Sequence, residues 1–285
     1  RLPWMWRLGP SNSSERAHVM EMIDAGEFPE NTLFCGDAGF VGYPLWSTVL
    51  QRGGDFLVRV GANVHLLRES ADYQLLNKGT VLCWPKATQS NQPPLRLRLV
   101  NVRLGKANVY LLTSVLDPDK LSVKQMIKLY KLRWGIEVEF RGLKQTLDRA
   151  KLRCRNDQRL LAELDWSIMA MAVAELFALK EQFAKRSDRS RDSRQAPDPA
   201  KRSLANAMRA IRRCIRDRNE VAEPGKDLVT LLGKAVTDSY RRKGSKRARY
   251  RPSNPDKKSL GKPHVRTLTH QEKKKLRTLE ARTIA

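Results

Sequence analysis

The 285-residue chain carries 55 Lys+Arg against 30 Asp+Glu, and its 41% hydrophobic content excludes wholesale disorder. The net charge of +25 is unevenly placed: residues 185–285 hold 30 basic and 11 acidic side chains (+19), and residues 1–184 hold 25 and 19 (+6). A globular body with a basic C-terminal third points to a polyanionic partner, nucleic acid before membrane.

Residues 1–12, rich in Pro, Gly and Ser, read as loop. A helix is expected to open at Asn12 with Glu15 completing a capping box, and to end at Gly26. The apolar run Thr32–Gly36 reads as a strand stopped by Asp37 and a Gly-containing turn, 38–42. Residues 43–51 read as a helix and 56–60 as a second strand, giving a βαβ unit with parallel strands. Asp37 then lies just past the C-terminal end of a central strand, the edge where open α/β sheets place ligands. Gly39 and Gly42 fit a tight turn better than a P-loop, since no GK[ST] follows.

Residues 61–116 read as a β-rich insertion packed outside this core. Residues 95–104 alternate at period two, with a parity slip between Leu99 and Val100 that a bulge would absorb. Gly105–Asn108 reads as a turn and 109–115 as the returning strand. A capping box at Ser122 and Gln125 opens a helix expected to run to 149. The next helix, about 158–184, is apolar on most faces and is expected to be buried. Residues 185–201 read as a linker. An Arg-flanked amphipathic helix follows, with Leu204, Met208, Ile211 and Ile215 on one stripe, and then a short helix over 227–240. Residues 241–285 are basic and expected to be disordered.

The four cysteines, at 35, 83, 154 and 214, lie no closer than 48 positions apart. That excludes CxxC zinc and redox motifs and suits reduced thiols in a cytosolic compartment. The longest charge-free run in the helical part, Trp166–Ala174, is nine residues, too short to span a bilayer. The histidines at 18, 65, 264 and 270 share no spacing. The chain opens on Arg1 with no signal peptide, and its natural N-terminus is expected upstream.

On a helical wheel with Arg133 at zero, Tyr130 falls at about 60°, Glu137 at about 40° and Lys144 at about 20°. Leu129, Leu132, Ile136, Phe140, Leu143 and Leu147 fall between about 260° and 340°, and so form the expected core face. A phenol, a guanidinium, a carboxylate and an ammonium thus share a strip at the edge of that face. The inventory suits phosphoryl transfer: the carboxylate holds a divalent cation, and the other three meet phosphate. The plainer reading is an exposed Arg133–Glu137 pair worth about 0.3–0.5 kcal/mol.

The spacing Tyr130-x2-Arg133-x3-Glu137-x6-Lys144 matches, without a gap, the Y-R-E-K signature of bacterial insertion-sequence transposases with an Asp-Asp-Glu site, the IS-four type. Three such matches behind a given Tyr arise about once in eight thousand placements at average residue usage. YKLRWGIEVEFRGLKQTL and CGDAGFVGY are similar to the same family's segments. The resemblance covers most of residues 1–184 and implies an α/β, RNase H-like catalytic core interrupted by a β-rich insertion. It implies that Asp37 and Glu137 are catalytic and metal-holding, and that Tyr130, Arg133 and Lys144 contact DNA phosphates. It further implies two Mg²⁺ (or Mn²⁺) ions, cleavage and strand transfer at transposon ends, double-stranded DNA as partner and a nucleoid-associated location, and it leaves open a homo-oligomer on DNA.

Glu139, at about 240°, lies across the helix and is set aside as a ligand. The family's first Asp comes from an early strand that this segment lacks. Asp24, at the end of a helix, is a poor substitute, so the chain is expected to be N-terminally truncated and to bind DNA without cutting it. Two rivals stay open, a catalytically dead DNA-binding fragment and a basic RNA-binding protein. On this reading the chain divides into a partial core (1–60), the insertion (61–116), core helices (117–184) and a basic region (185–285).

Overall fold

The βαβ unit is present, and its helix occupies the expected residues. Strand β1 (Leu33–Gly36) pairs in parallel with β2 (Asp55–Val60) through helix α2 (Tyr43–Gln51). The computed structural model describes residues 2–10, 12–26, 29, 31–69, 79–84, 92–105, 107–188, 201–218, 223–236 and 260–284. Trp46 of α2 is fully buried and stacks on Phe56 of β2, with centroids 5.3 Å apart. Helix α1 (Glu15–Ala25) starts two residues later than expected, because Ser14 rather than Asn12 caps it and accepts from the Ala17 amide; it ends at Gly26 as expected.

The insertion does not stand outside this unit. Strands β3 (His65–Arg68), β4 (Thr80–Cys83), β5 (Leu95–Leu104) and β6 (Ala107–Thr113) extend the same sheet, and β6 pairs antiparallel with β2. The sheet order is β1-β2-β6-β5-β4-β3-β7, where β7 (His264–Thr267) runs parallel to β3. Among the described strands β1 is therefore at an edge, not central. The expected hairpin is present, with Gly105 at φ +62° between Leu104 and its partner Ala107.

No bulge interrupts β5, whose register to β6 is unbroken from Arg98↔Thr113 to Leu104↔Ala107. The parity slip has another cause: both faces of the sheet are covered. Leu97 and Leu99 pack on the face carrying α1 and α2, whereas Val100 and Val102 pack on the opposite face under α3 (Val123–Leu132). A strand buried on both faces needs no consistent polar side.

The basic C-terminal stretch is partly ordered as well. After β7, helix α8 (His270–Ile284) places Leu276 against Leu67 and Leu82. The expectation of disorder overlooked Thr269 and Glu272, a T-x-x-E capping box in which each partner satisfies the other's backbone N–H. The remaining part of the expected tail, 241–259, lies outside the described residues, as does the linker beyond Asp188 up to Ala200.

The chain divides into two compact units. One comprises 9–133 and 249–285 and holds the sheet; the other comprises 1–8 and 134–248 and is helical. The helical unit contains α4 (Gly135–Arg141), a π-helical segment (Gly142–Thr146), α5 (Asp157–Asp188), α6 (Leu204–Arg216) and α7 (Leu228–Gly233). Helix α6 lays Leu204, Ala207 and Ala210 against α5 and α7. Helix α7 is shorter than the expected 227–240, of which 237–240 lie outside the described residues. Helix α5 is not wholly buried: Leu164, Ile168, Met171 and Ala178 face this core, but Met169, Val173 and Phe177 are exposed, and Trp166 is 70% exposed.

Candidate active site

Asp37 is the first residue past β1, and its backbone turns at once. Its Oδ1 accepts from the Gly39 amide at 2.8 Å, and its carbonyl accepts from the Phe40 amide at 3.1 Å. One carboxylate oxygen is thereby spent on the turn. Gly36 permits the close return of the chain, since a Cβ there would meet Phe40 Cβ at 2.9 Å. Gly42 adopts φ +133° at the start of α2. Both glycines serve the turn, as expected. The other carboxylate oxygen, Oδ2, lies 3.7 Å from Arg133 Nη1.

Arg133 and Tyr130 come from the end of α3, whose start is fixed by the expected capping box. Ser122 Oγ accepts from the Gln125 amide, and Gln125 Oε1 accepts from the Ser122 amide at 2.8 Å. The Arg133 guanidinium sits 5.9 Å from the Tyr130 ring centroid. Tyr130 is 5% exposed, packed among Leu57, Leu111 and Met126. That corrects the expectation of an open strip, because the phenol belongs to the core. Burial raises the Tyr130 pKa above its ordinary value, while Arg133 and Arg59 pull it back, so the hydroxyl stays protonated at neutral pH.

Beneath α3 lies a residue whose role the alternation concealed. Arg98 of β5 reads as an outward polar position, yet it is 5% exposed. Its Nη2 donates to the Leu121 carbonyl and lies 3.3 Å from Met126 Sδ. Burial lowers its pKa, opposed by Asp117. Arg98 thus ties the sheet to the first turn of the helix that delivers Tyr130 and Arg133. Only the amphipathic covering helix at 123–132 signals that this polar position would be covered.

The helix expected over 122–149 is not continuous. It breaks at Arg133–Trp134, where the helix on the far side opens at Gly135, a weak helix former, with no side-chain cap bond. The π-helical segment then alters the period again, with the Leu147 amide bonding the Gly142 carbonyl five residues back. The wheel computed at 3.6 residues per turn therefore fails twice. Leu132, Ile136 and Phe140, expected in the core, are exposed, and Trp134 is exposed too. Asp37, Tyr130 and Arg133 gather in the sheet unit. Glu137 and Lys144 belong to the helical unit: Glu137 is half-buried on α4, and Lys144 is exposed with Nζ 5.8 Å from the Phe140 ring centroid.

Glu139, two residues after Glu137, is 8% exposed. Its Oε1 lies 4.0 Å from Nη2 of Arg202, which donates to Glu175 Oε2 at 2.6 Å. Arg202 reads from sequence as the edge of a linker, and nothing in its neighbourhood announces burial. The histidines are also less scattered than their spacing implies, since pairing of β3 with β7 stacks His65 on His264 at 4.9 Å. Among the described residues, no three His, Cys, Asp or Glu side chains form a metal-sized group.

The family model for the transposase DDE domain matches residues 5–173, more than half of the chain. The chain belongs to the DDE transposase family. Its mixed seven-stranded sheet with helices on both faces is consistent with the RNase H-like core of these enzymes. The chain is also similar to "Transposase InsG for insertion sequence element IS4" of Escherichia coli (strain K12), with 28% identity over 176 residues, 56% of this chain and 37% of that protein. It thus spans well under half of that relative's length. Asp37, Tyr130, Arg133, Glu137 and Lys144 all fall inside the span matched by the DDE transposase model, and Arg202 falls outside it. The family implies a divalent metal, and a carboxylate oxygen such as Oδ2 of Asp37 is the kind of donor that suits a hard cation. No helix among the described residues is long and apolar enough to cross a membrane.

Proposed function

We propose that this chain acts on double-stranded DNA, cutting and joining strands at transposon ends by phosphoryl transfer, with Asp37 and Glu137 as the metal-holding carboxylates. The observation that carries the reading is the Asp37–Arg133–Tyr130 group. A carboxylate at the end of a parallel strand keeps one oxygen outside its own turn, and a guanidinium stands 3.7 Å from it. Arg133 binds the phosphodiester, and the buried Tyr130 ring is its platform. Lys144, exposed on its segment, adds a second cation for the backbone. Mg²⁺, or Mn²⁺, held by the carboxylates would stabilise charge developing on the phosphoryl oxygens.

The test is nicking of DNA carrying the element's ends, assayed with Mg²⁺ and with Mn²⁺. Cleavage that is lost in Asp37→Asn and in Glu137→Gln, with DNA binding retained, supports the reading. Cleavage that survives either substitution refutes the assignment. A second reading, a chain that binds DNA without cutting it, draws support from the +19 charge of residues 185–285, all of which lie beyond the span matched by the DDE domain. It predicts salt-sensitive binding and no metal-dependent product.

A further inference from the structure

We propose that Arg202 is a positioning residue: through Glu139 it sets the rotation of α4, and so the direction in which Glu137 presents its carboxylate. The inference rests on the reading of Glu137 as a metal-holding residue. Glu137 and Glu139 stand about 200° apart on the helix, so drawing one inward turns the other outward. Ile136, Val138 and Phe140 of α4 are exposed and give the helix little interdigitated packing to fix its rotation. The buried Glu139 carboxylate facing the Arg202 guanidinium, Oε1 to Nη2 4.0 Å, is an electrostatic tether for that rotation.

The geometry of the cluster supports this role. Arg202 has a side chain only 1% exposed and, among the described residues, meets Glu175 at 2.6 Å and Glu139 at 4.0 Å. Glu175 makes the close contact and joins Arg202 to α5. Removing the charge of Glu139 would weaken the link from Arg202 to α4 while the Arg202–Glu175 contact stays.

Arg202 is itself fixed from behind. Its backbone bridges to Val236, and the next amide, Ser203, donates to the Ala235 carbonyl at 2.8 Å. Gln182 of α5 donates to the same carbonyl at 3.1 Å. Gly142 lets the start of α6 approach the end of α4, since a Cβ there would meet Leu204 Cδ2 at 2.6 Å. The Arg202 backbone is thus fixed to the stretch that follows α7, while its guanidinium meets Glu175 of α5 and faces Glu139 of α4.

The experiment is a Mn²⁺ titration of the full chain, followed by the electron paramagnetic resonance signal of free Mn²⁺, with thermal melts of every variant. Wild type is compared with Glu137→Gln, Glu139→Gln, Glu175→Gln and Arg202→Lys. Glu139→Gln keeps the shape and removes the charge; Arg202→Lys keeps the charge and removes the fork. Both are expected to weaken the Glu137-dependent binding by about 10–100-fold while melting cooperatively. Glu175→Gln is expected to lower the melting temperature most. If Arg202→Lys does not fold, Glu139→Gln decides. Glu137-dependent affinity left unmoved by Glu139→Gln, with only the melting temperature lowered, overturns the proposal. Mn²⁺ binding that Glu137→Gln leaves unchanged overturns the site reading, and the proposal with it.

Discussion

Replacing Arg209 and Arg212 of α6 by Gln should flatten the salt dependence of DNA binding by a calculable amount. Both side chains are exposed, and neither meets a carboxylate in the described ion pairs; Arg212 donates to the Thr146 carbonyl, a neutral partner. Each phosphate neutralised on duplex DNA contributes about −0.9 to the slope of log K against log salt. Losing two such contacts changes the slope by about 1.8, so the affinity lost between 50 and 200 mM salt should shrink by about twelvefold. Arg216→Gln is the internal comparison: Asp217 already lies 2.7 Å from Arg216 Nε, so the slope should change by less than one contact's worth. Fluorescence anisotropy of a labelled duplex across that salt range gives the slopes directly. Deleting residues 185–285 would be a poorer test, because it removes β7 and α6 along with the charge. Equal slopes for the double variant and the wild type would refute the argument and leave this part of the +19 as a merely solvated surface.

Arg98→Met should destabilise the chain by about 1–3 kcal/mol in urea unfolding, since the buried Leu121 carbonyl loses its donor; a change near zero would show that Arg98 does not tie α3 to the sheet. Arg266 and the Thr269 backbone hold the Glu272 carboxyl down at about 2, below its ordinary 4.5, so its contribution is complete above about pH 4.5 and disappears as pH falls towards 2. Glu272→Gln should therefore speed hydrogen exchange in the first turn of α8 at neutral pH, and the difference from wild type should vanish towards pH 2. Burial pushes the Cys83 thiol up to about 12 and Cys35 to about 11, whereas Cys214 is exposed. Alkylation of the native protein at pH 8, followed by mass spectrometry, should modify Cys214 well before Cys35 or Cys83; simultaneous modification would contradict the burial.

The features that could be read along the chain are those whose causes lie within a few residues. Helix α2, its flanking parallel strands, the β5–β6 hairpin at Gly105 and the Ser122 capping box all follow from turn chemistry, caps and short-range alternation. Asp37 could be singled out for the same reason, as the polar residue that ends an apolar strand. The T-x-x-E box at Thr269 was equally local, but it was submerged in basic composition. Other features depend on what distant chain covers. Arg98 is buried because α3 lies over it, and Arg202 is buried where Glu175 of α5 meets its guanidinium and Val236 bridges its backbone; an isolated arginine gives no sign of either fate. The covered second face of β5 mimicked a bulge in the sequence pattern. The union of β3 with β7 joins residues 199 positions apart, as Arg68 Nε reaches Thr267 Oγ1 at 3.1 Å. The break at Arg133–Trp134 belongs with these, since a helical wheel presumes one unbroken helix and here the division into units falls within it. Backbone preference is set by near neighbours, whereas desolvation of a side chain is set by whichever surfaces the fold brings over it, as at the buried polar positions 98, 139 and 202.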